Sequence, residues 1–159
     1  MQKIVPFLWF DSQAEEAARL YTSIFPNSKI TDVSRYGEAG PRPAGSVMTV
    51  GFELDGVPFI ALNGGPEFKF TEAISFSVTC QTQEEVDELW AKLSEGGEEG
   101  PCGWLKDRYG LSWQIVPKQL HELIGDPDPV KARAATEAMY KMKKLDIAEL
   151  KRAHDSAQS

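Results

Sequence analysis

The stretch Asp107-Arg108-Tyr109-Gly110-Leu111-Ser112-Trp113-Gln114-Ile115-Val116-Pro117 decides how this chain folds. Asp-x-x-Gly between apolar runs is a tight-turn pattern, with glycine where the backbone most needs a positive φ. Beyond the turn the residues alternate: Leu111, Trp113 and Ile115 point one way, Ser112, Gln114 and Val116 the other. A strand of this kind covers a core with one face and lines a cavity with the other. Pro117 ends it, because proline has no N–H for the ladder.

Working outward, the same hairpin occurs earlier: Asp55-Gly56 turns into Val57–Asn63, and Gly56-Val57-Pro58-Phe59 parallels Gly110-Leu111-Ser112-Trp113. What precedes each hairpin repeats as well. Residues 3–10 form a bulky buried strand, Ser12 and Glu15 have the spacing of a capping box, and Ala14, Ala17, Ala18, Tyr21 and Ile24 follow at helical spacing. Strand patterns over 29–36 and 46–54 lead to the hairpin, and Gly64-Gly65-Pro66 closes the half. In the second half, residues 73–79 alternate as a strand, and Thr82 and Glu85 make another capping box. Val86, Leu89, Trp90 and Leu93 then give a helical stripe that ends at Gly96-Gly97. A slide of 69 residues superposes Phe7 on Phe76, Leu20 on Leu89 and Ile24 on Leu93, while the caps fit better at 70.

Each half therefore reads strand, helix, three strands. The fold class is α+β: two βαβββ modules, about 3–66 and 72–117, forming a curled mixed sheet with a concave cleft in a domain over 1–117. If Phe7 and Phe76 pack under the helices, alternation puts Pro6, Leu8, Ser75, Ser77 and Gln114 on the concave side. Residues 118–159 are a helical extension packed on the domain or on a dimer partner. Asp126-Pro127-Asp128-Pro129 opens a helix, a small-residue stripe runs through Ala134 and Ala138, and Asp146 caps another helix.

Composition narrows the functional classes. With 42% hydrophobic and 26% charged residues in 159, the chain is an ordinary globular protein. A net charge of −7 and the lack of a basic patch argue against nucleic acid. No apolar run approaches the ~20 residues that span a membrane. The N-terminal Met1-Gln2-Lys3-Ile4-Val5-Pro6 enters a strand-like pattern with no signal-peptide core. Two cysteines, Cys80 and Cys102, make no disulfide framework, so a cytoplasmic location is expected.

Paired βαβββ halves resemble the vicinal oxygen chelate superfamily, which includes glyoxalase I, extradiol dioxygenases and antibiotic-resistance proteins. More narrowly, three segments are similar to its PhnB-like branch, whose members often carry the label 3-demethylubiquinone-9 3-methyltransferase. These are Pro6-Phe7-Leu8-Trp9-Phe10-Asp11, the run from Cys102 to Gln114, and the tail from Ala138 to Ile147. The resemblance implies the chelate fold and a two-fold homodimer with isologous contacts. It also implies metal positions on the first and last strands of each half: residues 4–8, residues 73–75, near Ile60, and Gln114. Of these only Gln114 can coordinate, so no metal and no cofactor is expected. The label's methyltransferase activity has no glycine-rich strand-to-helix turn here to hold S-adenosylmethionine.

What remains is a polar set in an apolar wall. The candidate ligand-binding residues are Leu8, Trp9, Asn63, Ser75, Ser77, Trp104 and Gln114, with Gln114, Ser75 and Asn63 supplying hydrogen bonds. Cys102 is the one candidate nucleophile, with Lys106 or Arg108 to lower its pKa, while His121 and His154 read as solvated helix histidines. The leading expectation is a metal-free binding protein for a small apolar or aromatic molecule. The alternatives are an enzyme, either the methyltransferase of the label or a lyase or isomerase, and a regulatory interaction module acting through the tail.

Overall fold

The computed structural model describes residues 3–158, in two compact units divided between Phe70 and Thr71. Met1 and Gln2, at the head of the N-terminal strand pattern, and Ser159, at the end of the extension, lie outside the described residues. In the first unit the elements are β1 (Phe7–Phe10), α1 (Ala14–Ile24), β2 (Lys29–Arg35), β3 (Val47–Leu54) and β4 (Val57–Asn63). They form a four-stranded mixed sheet in the order β1-β4-β3-β2, with β1 parallel to β4 and the other pairs antiparallel. Asp55 (φ 48) and Gly56 (φ 79) are both left-handed, as a two-residue hairpin turn matching the strand twist requires. Ala14, Ala17, Ala18 and Tyr21 bury one side of α1, and Tyr21 lies 6.2 Å from Phe52, which stacks on Phe59 at 5.4 Å.

The second unit repeats this plan with β5 (Ser75–Cys80), α2 (Gln83–Ser94), β6 (Glu98–Glu99), β7 (Trp104–Lys106) and β8 (Ser112–Pro117), in the order β5-β8-β7-β6. Its capping box forms. Thr82 Oγ1 accepts from the Glu85 N–H at 3.2 Å, and Glu85 Oε1 accepts from the Gln81 N–H at 2.7 Å.

The box expected at Ser12 and Glu15 does not form. Gln13 stands at the N-cap without a side-chain bond to the helix, its Oε1 accepting from the Ser12 N–H, and Glu15 pairs with Arg19 at 3.0 Å instead. The α1 cap comes from across the unit: Asn63 Oδ1 accepts from the Ala14 N–H at 2.8 Å, and Asn63 Nδ2 donates to the Val47 carbonyl at 3.2 Å.

A difference in loop length explains this and corrects the repeat. Residues 11–13 join β1 to α1, but only Gln81 and Thr82 join β5 to α2. The helices superpose at 69, with Ala17 on Val86 and Tyr21 on Trp90, whereas the strands superpose at 70. In β1 and β4 Phe7 pairs with Ile60, and in β5 and β8 Ser77 pairs with Gln114, so Phe7 is the counterpart of Ser77. A one-residue slip exchanges the two faces of a strand. Phe7 is accordingly 58% exposed, and Leu8, expected on the open face, is buried at 5% beside Phe10 at 3%.

Three further helices complete the second unit: α3 (Lys118–Ile124), α4 (Pro129–Tyr140) and α5 (Ile147–Ser156). Asp128 and Asp146 cap α4 and α5, and Pro129 opens α4. Val116, Leu120, Leu123, Ala135, Leu145 and Leu150 bury together as one apolar cluster that spans β8 and all three helices. Backbone bonds add to it. The Cys102 and Gly103 N–H groups donate to the Met142 and Lys143 carbonyls, both at 2.8 Å. No helix among the described residues is long and apolar enough to cross a membrane.

Candidate functional site

The turn that starts β8 is built on a buried carboxylate. Asp107, 2% exposed, accepts at Oδ1 from the Tyr109 and Leu111 N–H groups and at Oδ2 from Trp113 Nε1–H at 2.9 Å. Gly110 takes φ +87 to close the turn, and the Trp113 ring is thereby fixed in the core 5.6 Å from Phe76. With Trp113 and Ile115 held inward, Ser112, Gln114 and Val116 face the other way.

On that other face lies a cleft of about 730 Å³, built wholly by the second unit. Ser77, Ser112, Gln114 and Val116 form its floor, and Trp104 and Lys106 of β7 stand beside them. Leu120 and His121 of α3 and Met139 and Tyr140 of α4 make an opposite wall, and Gly100-Pro101-Cys102 borders it. The register Ser75↔Ser112 and Ser77↔Gln114 puts these polar side chains in adjacent rows. Gln114 Nε2 donates to Ser75 Oγ at 3.0 Å. The Ser112 hydroxyl, in a residue 1% exposed, has no hydrogen-bond partner among the described residues.

The charged lining is mostly acidic, with Glu72, Glu98 and Glu99 against Lys106. Lys106 Nζ lies 2.7 Å from Glu72 Oε1. That hydrogen bond holds the Glu72 carboxyl below its usual pKa and raises the Lys106 ammonium above its own. The two thiols differ. Cys80 is fully buried, and burial, with Glu85 close by, pushes it up to about 12, so it stays protonated. Cys102 is half-buried on the cleft border, with a left-handed backbone (φ 59) stitched to Met142.

Of the residues proposed from sequence, Ser77, Trp104, Gln114 and Cys102 line this cleft, and Ser75 supports Gln114 from behind. Leu8, Trp9 and Asn63 lie in the first unit. Trp9 donates from Nε1 to the Gly65 carbonyl at 2.9 Å and meets Phe68 edge-on at 4.8 Å. Gly64 has to be glycine there, since a Cβ would sit 2.4 Å from the Trp9 ring. Asn63 spends its side chain on the α1 cap and β3. Sequence reasoning missed Ser112, Glu72 and the helical wall, and offered Lys106 only as a cation for Cys102, whereas it pairs with Glu72. Ser112 carried a readable signal, since it alternates onto the face of Gln114. His121 carried none, because only the packing of α3 brings it to the rim.

Residues 2–116 match the family described as 3-demethylubiquinone-9 3-methyltransferase. The chain belongs to this family. The PhnB protein of Bacillus cereus is 41% identical, with 73% of this chain and 99% of that one covered and a TM-score of 0.66. Protein PA1353 of Pseudomonas aeruginosa shares the fold at 21% identity (74% and 98% covered, TM-score 0.61). So does the fosfomycin resistance protein FosX of Listeria monocytogenes at 17% identity (77% and 97% covered, TM-score 0.52). These likenesses place the PhnB-like chain in the vicinal oxygen chelate superfamily. Among curated proteins none matches it.

The groups implied by the superfamily and by the family's name do not fit the residues present. At the superfamily's chelating positions this PhnB-like chain has apolar or hydroxyl side chains apart from Gln114, whose amide is bonded to Ser75. Among the described residues no three of His, Cys, Asp and Glu are grouped to hold a metal ion. A single neutral amide does not bind Zn²⁺ or Fe²⁺. For S-adenosylmethionine, a doubly wound parallel sheet with a glycine-rich turn opening a helix is the usual cradle. Here the sheets are mixed, Asn63 and Thr82 cap α1 and α2, and Gly97 packs against the Lys106–Asp107 backbone.

Proposed function

We propose that the protein binds a small apolar or aromatic molecule in the cleft of its second unit, without a metal. The observation that carries this is the lining itself: Trp104, Val116, Leu120, Met139 and Tyr140 enclose about 730 Å³ around a short row of polar groups on β5 and β8. That size and that ratio of apolar wall to convergent polar groups are typical of small-molecule sites, which run ~300–1,000 Å³. Leu120, His121, Met139 and Tyr140 of the lining come from α3 and α4, beyond the family match that ends at residue 116. The ligand is therefore selected partly by an element that the family core does not include.

The test is thermal unfolding with a panel of planar aromatic compounds, together with mass spectrometry of whatever small molecule copurifies. A ligand at a hundred times its Kd is expected to raise the Tm by about 5 °C or more. Methyl transfer from S-adenosylmethionine, or an absence of any shift across the panel, would overturn the reading.

Two further parts belong to the same proposal. The protein is a homodimer with isologous contacts, supported by the exposed apolar side chains Phe7, Phe68 and Ile74, at 58%, 63% and 58%. Light scattering at micromolar concentration is expected to give twice the chain mass of 17.6 kDa, and a monomer contradicts it. Its location is cytoplasmic, supported by two free thiols, Cys80 and Cys102, in a chain without disulfides.

A further inference from the structure

We infer that the ligand is a neutral molecule with an apolar body and one carbonyl-type oxygen, and that the Ser112 hydroxyl is the group that reads this oxygen. The inference rests on the cleft being a ligand site, as proposed above. Ser112 is 1% exposed, lines the cleft, and leaves its hydroxyl without a partner among the described residues. A buried hydroxyl in that state carries an uncompensated desolvation cost, and native structures hold few of them.

The fold does not ask for the hydroxyl. The corresponding position in the first hairpin is Pro58, which has no polar side chain and sits in the same place two residues past the turn glycine. Nor is the hydroxyl idle because its neighbours are also idle. Gln114, two residues along the same face, is already bonded to Ser75. Its cross-strand neighbours are committed as well, Ser75 Oγ to Gln114 and Lys106 Nζ to Glu72. A ligand oxygen entering the cleft accepts a hydrogen bond from the Ser112 hydroxyl, while its apolar body rests on Trp104 and Tyr140.

The charge of the lining selects a neutral ligand over an anionic one. Glu72, Glu98 and Glu99 outnumber Lys106, and Lys106 is already paired to Glu72. A carboxylate entering the cleft would meet net negative charge with no free cation to offset it.

The test uses three probes of one shape: 2-acetylnaphthalene, 2-isopropenylnaphthalene and 2-naphthoate. Their dissociation constants are measured by titration against the full-length wild type and Ser112→Ala. The ketone is expected to bind more tightly than the alkene in the wild type, and its advantage to fall about ten-fold in Ser112→Ala, with alkene binding unchanged. Ser112→Cys, isosteric with a weaker donor, is expected to lower the same ratio and serves if the alanine variant does not fold. A ketone-to-alkene ratio equal in wild type and variant, as for a hydroxyl satisfied by solvent, overturns the inference and leaves the cleft proposal standing. Tightest binding by 2-naphthoate overturns it too. Failure of all three probes to bind the wild type removes the cleft proposal, and this inference falls with it.

Discussion

A carboxylate that is almost fully enclosed survives only where its lone pairs are taken up, and Asp107 has three N–H donors on its two oxygens. Two of them fix the backbone of the turn into β8, and the third fixes the indole of Trp113. The side chain therefore sets which face of β8 looks into the core and which looks into the cleft. Asp107→Ala is expected to destabilise the second unit by about 3 kcal/mol or more, read as a drop in the urea midpoint. Asp107→Asn keeps one oxygen for the backbone donors but turns an NH₂ group toward Trp113, so it is expected to lose roughly half as much. Equal midpoints for wild type and both variants would show that the turn does not depend on this carboxylate. The alternation of Leu111 to Val116 was legible in the sequence. The buried bond from Trp113 to Asp107 was not, because Asp-x-x-Gly is written the same way in turns whose aspartate faces water.

At the scale of elements, the strand–helix–three-strand repeat could be read, but the face of β1 could not. Helical periodicity locates a helix to within a turn, whereas a strand's two faces exchange on a slip of one residue. The single extra residue in the 11–13 connection is such a slip. It carried Leu8 inward and Phe7 outward. It also separates Ser12 from the helix start, and the cap passes to Asn63 on β4. Asn63→Ala removes this cap and leaves the Val47 carbonyl without its donor, so a loss of about 2 kcal/mol in the first unit is expected. The check is hydrogen exchange at the first turn of α1, where the Ala14 amide is expected to lose its protection. Protection retained there would mean the cap is not Asn63.

For the whole molecule, the hidden wall of the cleft lies in the extension, whose helices were legible but whose side lining the cleft was not. That face is decided by tertiary pairs far apart in sequence, among them His154 of α5 with Asp126 of the α3–α4 connection, at 2.7 Å. The second ring nitrogen of His154 lies 2.9 Å from Asp155, so the imidazole faces two carboxylates, which favour its charged form. The hydrogen bonds to Asp155 and Asp126 raise its pKa, while the Asp128 N–H, His154 and Lys131 lower that of Asp126. A raised histidine contributes stability that is fully present below the unfolded value near ~6.5 and is lost as pH rises through the folded value. A lowered aspartate contributes above ~3.9, and this is lost as pH falls through its folded value. The clip is thus strongest between about pH 4 and about pH 6.5. His154→Gln, which cannot titrate, isolates the effect from other groups. The urea midpoint of the wild type is expected to exceed that of the variant most at about pH 5, with the gap narrowing steadily toward about pH 9. Two midpoint curves running parallel across that range would show that His154 does not clip α5 through its charge.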